Sequence, residues 1–159
     1  MKIEYIAGDL LSSPERVIAH GCNAQGVMRS GVAKDIRAKY PQAFADYSKR
    51  YRLAWIDGSS KTPFFLSLGD VIETKLPDRT ILNIISQKYY GRDSSVRYVS
   101  YDAITDAIKR INDLGYTRVA FPKIGAGLAN GNWDVISTII ESYSDFAPIV
   151  YYIDPQAPA

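Results

Sequence analysis

The sequence predicts a three-layer α/β/α domain with a central mixed sheet. Strand-like apolar runs alternate with segments of helical period along the chain, the pattern of strands crossed by helices. The run Ile81-Leu82-Asn83-Ile84-Ile85 is apolar on both faces, as befits a strand covered on both sides. Near the C-terminal end, a glycine-rich segment joins a strand directly to a helix.

The elements follow in order. Lys2 to Ala7 alternates and is rich in β-formers, so it predicts a strand, closed by a turn at Gly8-Asp9-Leu10. Arg16 to Cys22 is a short apolar run and a more central strand. Asn23 to Ser30 is polar and glycine-bearing, hence a loop. Val32, Ala33, Ile36 and Tyr40 share one helical face, and Pro41 interrupts that helix. A second helix is expected over Ala43 to Tyr51, then a surface turn at Asp57-Gly58-Ser59-Ser60. Phe64 to Leu68, Asp70 to Leu76 and Thr80 to Gln87 read as strands, and Lys88 to Ser95 as a loop. Val99 to Leu114 puts Ile104, Ala107, Ile108 and Ile111 on one helix face, and Gly115 ends it. A strand over 117–122, the glycine loop, a helix over 133–144 and a strand over Ile149 to Ile153 complete the series. Residues 1–154 are expected to form a single domain, with 155–159 frayed.

At 159 residues, 47% hydrophobic and 23% charged, the chain has the balance of a soluble globular domain. The net charge of +2 comes from scattered basic residues, so no stable nucleic-acid partner is expected. No apolar run approaches membrane-spanning length, and Met1-Lys2-Ile3-Glu4-Tyr5 leads straight into structure, so the expectation is a cytoplasmic protein without a membrane partner. A single cysteine excludes an internal disulfide, and Cys22 with His20 cannot complete a zinc site. No cofactor or metal is expected.

The glycine segment, Lys123-Ile124-Gly125-Ala126-Gly127-Leu128-Ala129-Asn130-Gly131, has the spacing Gly-x-Gly-x-x-x-Gly. Glycines let a backbone approach an anion, and the free N–H groups of a helix start supply positive potential. A phosphate-bearing small molecule is therefore the leading ligand, against the alternative of an ordinary tight turn. The spacing and late position exclude a dinucleotide fingerprint, and no Gly-Lys-Ser/Thr is present for a P-loop. Gly31-Val32-Ala33 opens another helix after a polar loop and offers a second set of free N–H groups. A diphosphate could lie between the two. The loops Gly21 to Gly31, Ser86 to Asp93 and Lys123 to Gly131 each follow a strand and would share one crevice if those strands run parallel. His20-Gly21-Cys22 followed by Arg29 departs from the His-Cys-x5-Arg phosphatase spacing, so Cys22 reads as a small buried strand residue and not as a nucleophile.

The segments Gly8-Asp9-Leu10, His20-Gly21-Cys22-Asn23, Gly31-Val32-Ala33, Tyr40-Pro41-Gln42-Ala43 and Pro122-Lys123-Ile124-Gly125-Ala126-Gly127-Leu128 together resemble a macro domain, the ADP-ribose-binding fold. Their order and extent cover nearly the whole chain, and the resemblance is to the branch of ADP-ribose 1″-phosphate phosphatases. It implies that Gly8, Asp9 and Leu10 hold the adenine, with Tyr152 or Asp154 beside it. It implies that Gly31 and Val32 bind one side of the diphosphate and that Ile124, Gly125, Ala126, Gly127 and Leu128 wrap the other. Ser86 and Gln87 would line the cleft, and Asn23 would hold the distal ribose and so serve catalysis. His20 would protonate the leaving oxygen or orient water, against the alternative of a structural histidine.

A neighbouring branch that removes ADP-ribose from proteins carries an aspartate where this chain has Ala129, which argues against that reaction by that mechanism. Arg29 either meets a terminal phosphate or points to solvent, and Lys88, Arg92 and Arg97 leave the same choice open. The activity implied is metal-independent hydrolysis of ADP-ribose 1″-phosphate to ADP-ribose and phosphate. The alternatives are a non-catalytic ADP-ribose reader, a hydrolase of ADP-ribosylated protein or nucleic acid, and, outside the family, a generic nucleotide-binding domain. Gly125→Val and Gly127→Val are each expected to abolish binding with little change in thermal midpoint.

Overall fold

A computed structural model describes residues 1–56 and 65–154. The expected turn at 57–60 and the tail 155–159 lie outside the described residues, as does Phe64. The strands are β1 (Glu4–Ala7), β2 (Val17–Asn23), β3 (Val71–Lys75), β4 (Thr80–Gln87), β5 (Arg118–Phe121) and β6 (Ala147–Tyr152). The helices are α1 (Gly31–Lys39), α2 (Pro41–Ile56), α3 (Tyr101–Leu114) and α4 (Trp133–Tyr143), with a short 3-10 turn over Leu10–Ser12.

The six strands form one sheet in the order β1-β6-β5-β2-β4-β3. Every pairing is parallel except that of β3, which runs antiparallel to β4 at the edge. The parallel strands therefore end at one rim of the sheet, which is where the polar loops begin.

Strand alternation divides the core between the two faces. Val17, Ala19, Leu82, Ile84, Val119 and Phe121 pack with Ile104, Ala107, Ile108 and Ile111 of α3 and Ile136 and Ile140 of α4. On the other face, Ile18, Ile81, Ala120 and Ile149 meet Ile36 of α1 and Ala43 of α2. Cys22, Ile72 and Ile85 pack there with Met28, Tyr47 and Leu66. The chain has a mixed-sheet, three-layer α/β/α architecture.

Local signals set the helix ends. The Ser100 side chain accepts from Ala103 N–H to start α3, and Gly115 closes it in the left-handed conformation at φ 81°. Asn132 caps α4 through Asp134 and Val135 N–H groups. Below the opposite rim, Glu15 is buried and receives two 2.8 Å hydrogen bonds from the Arg118 guanidinium. Arg118 holds the Glu15 carboxyl below its ordinary range, against the effect of burial.

Two expectations need correction. Residues 65–68 form no strand, because β3 already occupies the free edge of β4. Leu66 is instead tied to Ala24 by one backbone hydrogen bond of 3.0 Å and fills the core beside Tyr47. The second helix is longer than expected at both ends: Pro41 stands in its first turn, where a missing N–H costs nothing, and α2 runs on to Ile56.

Candidate functional site

The C-terminal ends of β2, β4 and β5 open onto a cleft of about 560 Å³. Asn23, Gly31, Val32, Ser86, Gln87, Ile124, Gly125, Gly127 and Leu128 all line it. The three strand-following loops thus share one crevice, as parallel strands require.

Two backbone cradles meet there. Ser30 precedes α1 without a side-chain cap. Among the described residues, the N–H groups of Gly31, Val32 and Ala33 donate to no protein acceptor, as the first turn of a helix dictates. Gly31 has φ 58°, with open space where a side chain would stand. Opposite, the glycine loop is closed on itself by Gly131 N–H to Gly125 O at 2.7 Å and Asn130 N–H to Gly127 O at 3.0 Å. Gly125, Gly127 and Leu128 keep N–H groups without an acceptor among the described residues.

The glycines of this loop differ physically. Gly125 has φ 76°, and a Cβ there would stand 2.8 Å from Val99 Cγ2 and 3.0 Å from Ile136 Cδ1. A Cβ on Gly127 would meet nothing within 4 Å. The expectation of unchanged stability therefore fits Gly127→Val and is corrected for Gly125→Val. Gly21 is also confined: its Cβ would lie 2.6 Å from Ser86 Oγ.

His20 stands elsewhere than expected. Alternation along β2 turns Gly21 toward Ser86 and Ile124, and turns His20 and Cys22 toward the α1/α2 layer. His20 is fully buried and is not among the cleft residues. Its Nε2 lies 2.6 Å from Asn83 Oδ1, while Asn83 Nδ2 donates to the carbonyls of Ala43 and Ile72 at 3.4 and 3.3 Å. Because Asn83 spends its amide hydrogens on those carbonyls, Oδ1 is the acceptor and His20 Nε2 carries the proton. Burial pushes the His20 pKa down to about 4, the Asn83 hydrogen bond opposing only in part. A neutral histidine beneath the sheet surface does not reach a leaving group in the cleft, so the role of general acid is withdrawn. Burial raises the Cys22 thiol far above its ordinary range, which leaves no thiolate for nucleophilic attack.

Asn23 lines the cleft, but its polar atoms organise its own loop. Its Oδ1 accepts from Gln25 N–H, Val27 N–H and Tyr47 O–H, and its Nδ2 donates to Val27 O at 2.7 Å. Tyr47 O–H also donates to Asn23 O at 2.6 Å, so a buried tyrosine fixes the end of β2.

Gly8, Asp9, Leu10, Ala126 and Tyr152 do not line the cleft. Ala126 is half-buried within the glycine loop. The others lie at the same rim, where Gly8 N–H donates to Tyr152 O at 2.8 Å. Asp9 caps the 3-10 turn, accepting from Leu11 N–H at 3.2 Å and Ser12 O–H at 2.7 Å. The Lys123 ammonium lies 5.8 Å from the Tyr152 ring, which connects this end of the rim to the cleft. Trp133 is half-buried against the core of the α3/α4 face and donates from Nε1 to Tyr5 Oη at 3.0 Å.

Gly21, Cys22, Val27, Ser30, Ala33, Tyr90 and Gly91 also line the cleft. They lie in or next to the loops expected to share the crevice, but the sequence singled out none of them as a ligand contact of the cleft wall. Arg29, Arg92 and Lys123 are its charged lining residues, and no Asp, Glu or His is among them. At the carboxylate position of the neighbouring branch, Ala129 is buried and lines the wall. No group of three or more His, Cys, Asp and Glu side chains suited to a metal exists among the described residues.

The chain is 23% identical to an ADP-ribose 1″-phosphate phosphatase of Candida albicans, over 95% of this chain and 99% of that protein. It is 26% identical to a DNA ADP-ribosyl glycohydrolase of Mycobacterium tuberculosis, over 96% of this chain but only 42% of that protein's length. Among solved structures, Thermosipho africanus DarTG in complex with ADP-ribose superposes with a TM-score of 0.75 at 15% identity, over 99% of this chain and 43% of that one. The macro domain profile matches residues 19–140, and the chain belongs to the macro domain family.

Proposed function

We propose that the cleft binds ADP-ribose through its diphosphate and that the substrate is ADP-ribose 1″-phosphate, hydrolysed to ADP-ribose and inorganic phosphate. The supporting observation is that two sets of unengaged backbone N–H groups, at Gly31, Val32 and Ala33 and at Gly125, Gly127 and Leu128, line one cleft whose charged side chains are all cations. Such a lining favours a ligand with several negative charges. Adenine lies toward Asp9 and Tyr152, and the distal ribose lies toward Asn23 and Gln87. One water is consumed: one of its protons ends on the 1″-hydroxyl of ADP-ribose and the other on the hydrogen phosphate dianion, so the dianionic monoester and water balance the two products. The cations and N–H groups stabilise that charge. The likeness to the Candida albicans phosphatase over nearly the whole of both chains supports the reading.

A non-catalytic ADP-ribose reader is the second reading, favoured by a cleft wall without Asp, Glu or His. Phosphate release from ADP-ribose 1″-phosphate in EDTA separates the two. Release is expected with and without the chelator, and its absence at every pH from 5 to 8 leaves the reader. Release of ADP-ribose from ADP-ribosylated DNA, followed separately, tests the chemistry named for the Mycobacterium tuberculosis relative.

Asp9→Ala is expected to weaken ADP-ribose binding about ten- to a hundredfold in calorimetry, through loss of one charge-assisted hydrogen bond. Asp9 also caps the turn, so the variant should lose roughly 1 kcal/mol of stability as well. Unchanged affinity would remove Asp9 from the site and leave it as a cap.

A further inference from the structure

Arg92 stands in the loop between β4 and α3, and its Nη2 donates to Ser30 Oγ at 3.1 Å. That contact spans the cleft mouth, since both residues line it from different walls. A second tie runs alongside: Tyr90 N–H donates to Gln25 Oε1 at 2.9 Å. The far end of the same loop is fastened to the glycine loop, where Asn130 Nδ2 donates to Asp93 O at 2.9 Å and Val96 O at 2.7 Å. The loop is thus held against both cradles, and it carries the Arg92 guanidinium with it.

Sheet order tells which end of the ligand this loop meets. Strands β1 and β6, with Asp9 and Tyr152 at their ends, lie on one side of β5 and β2, and β4 lies on the other. On the ADP-ribose reading, on which this inference rests, adenine at the β1/β6 end puts the distal ribose at the β2/β4 end. Asn23 and Gln87 are register partners there, and the Arg92 loop begins one residue later.

The other cations are less suited. Lys123 rests 5.8 Å from the Tyr152 ring at the adenine end. Lys88 lies 4.6 Å from the Phe65 ring and Arg97 4.3 Å from the Tyr101 ring, and neither lines the cleft. Arg29 lines the cleft but has no fixing contact among the described residues, so ordering it costs side-chain entropy. Arg92 is held in place by Ser30 and, among the described residues, uses one of its five N–H donors. A planar fork already in position suits a phosphate dianion better than a mobile cation.

We infer that Arg92, positioned by Ser30, is the residue that selects ADP-ribose 1″-phosphate over ADP-ribose by pairing with the terminal phosphate. The wild-type protein then prefers the phosphorylated ligand, and that preference depends on Arg92.

The test compares both ligands on the full chain. Affinity for ADP-ribose is measured by calorimetry. The 1″-phosphate is followed by kcat/KM where it turns over and by calorimetry where it does not. Arg92→Ala should lower performance on the 1″-phosphate about 10- to 100-fold, the loss of a charge-assisted pair, and change ADP-ribose affinity by less than about twofold. Arg92→Lys, which keeps charge without the fork, should fall between. Ser30→Ala should lower the preference by a smaller factor. An equal loss for both ligands, or no loss for either, overturns the inference. A wild-type protein that binds both ligands without releasing phosphate defeats the phosphatase reading alone, because the affinity ratio and its dependence on Arg92 are still measured.

Discussion

Gly125→Val is expected to lose ADP-ribose binding and to melt well below the parent, whereas Gly127→Val is expected to lose binding alone. At Gly125 the backbone is left-handed, with φ 76°, and a Cβ would press on Val99 and Ile136. A β-branched residue in that region costs roughly 1–3 kcal/mol of backbone strain, and forcing a tight contact adds a similar amount. The sum, roughly 2–6 kcal/mol, lowers the thermal midpoint by several degrees to about 20 °C for a chain of this size. At Gly127 neither term operates, because space is open and φ is not in the left-handed region. A valine there still stands over the N–H groups that a phosphate must approach, so affinity should fall about a hundredfold or more. Calorimetry with ADP-ribose and thermal unfolding without ligand separate the two effects. Wild-type affinity in Gly127→Val would reduce the loop to a turn, and an unchanged midpoint in Gly125→Val would contradict the packing at Val99.

Much of the fold was legible because local signals and burial agree. The run 80–87 is apolar on both faces and forms a strand at the expected bounds. In α3, helical period and Gly115 mark the C-terminal end, while the start, expected at Val99, falls at Tyr101 after the Ser100 cap. The segment at 65–68 misled because aromatic and aliphatic residues in a row suit a strand, while the available sheet edge is a property of topology. The cradles were legible for a similar reason: glycine between a strand and a helix start has few structural uses. The orientation of His20 was not. Val17 to Cys22 is buried on both faces, so no polar alternation marks which side chains face the cleft. What sets the phase is the close approach of Gly21 to Ser86, a contact between strands that only the structure supplies. Arg92 was one of several loop cations in the sequence, and only its contact with Ser30 sets it apart.

Stability is expected to fall as the pH drops from 6.5 to 4.5, and His20→Gln should remove most of that fall. His20 titrates at about 4 in the folded chain against 6.5 as its ordinary value. Between those values the unfolded chain takes up a proton that the native state refuses, so unfolding gains free energy as pH decreases. The sign follows: the contribution is fully present above pH 6.5 and is lost progressively down to about pH 4. Between pH 6.5 and 4.5 the loss is roughly 2 kcal/mol, less than the full 1.36 kcal/mol per unit because the unfolded histidine is only half protonated at pH 6.5. Glu15 has a lowered carboxyl pKa, so its own contribution is lost mainly below its ordinary value of 4.5, outside the window. Glutamine keeps an N–H donor for Asn83 Oδ1 without a group that titrates. Urea unfolding at pH 6.5 and 4.5 measures the effect in both proteins. A flat wild-type profile, or a slope that survives in His20→Gln, would show that the histidine is not held neutral. The same property bears on catalysis, because a group titrating near 4 is protonated in only about one molecule in a thousand at pH 7. The pH profile of phosphate release between 5 and 8 should therefore be the same in His20→Gln as in the parent, and a lost inflection in the variant would return His20 to the reaction.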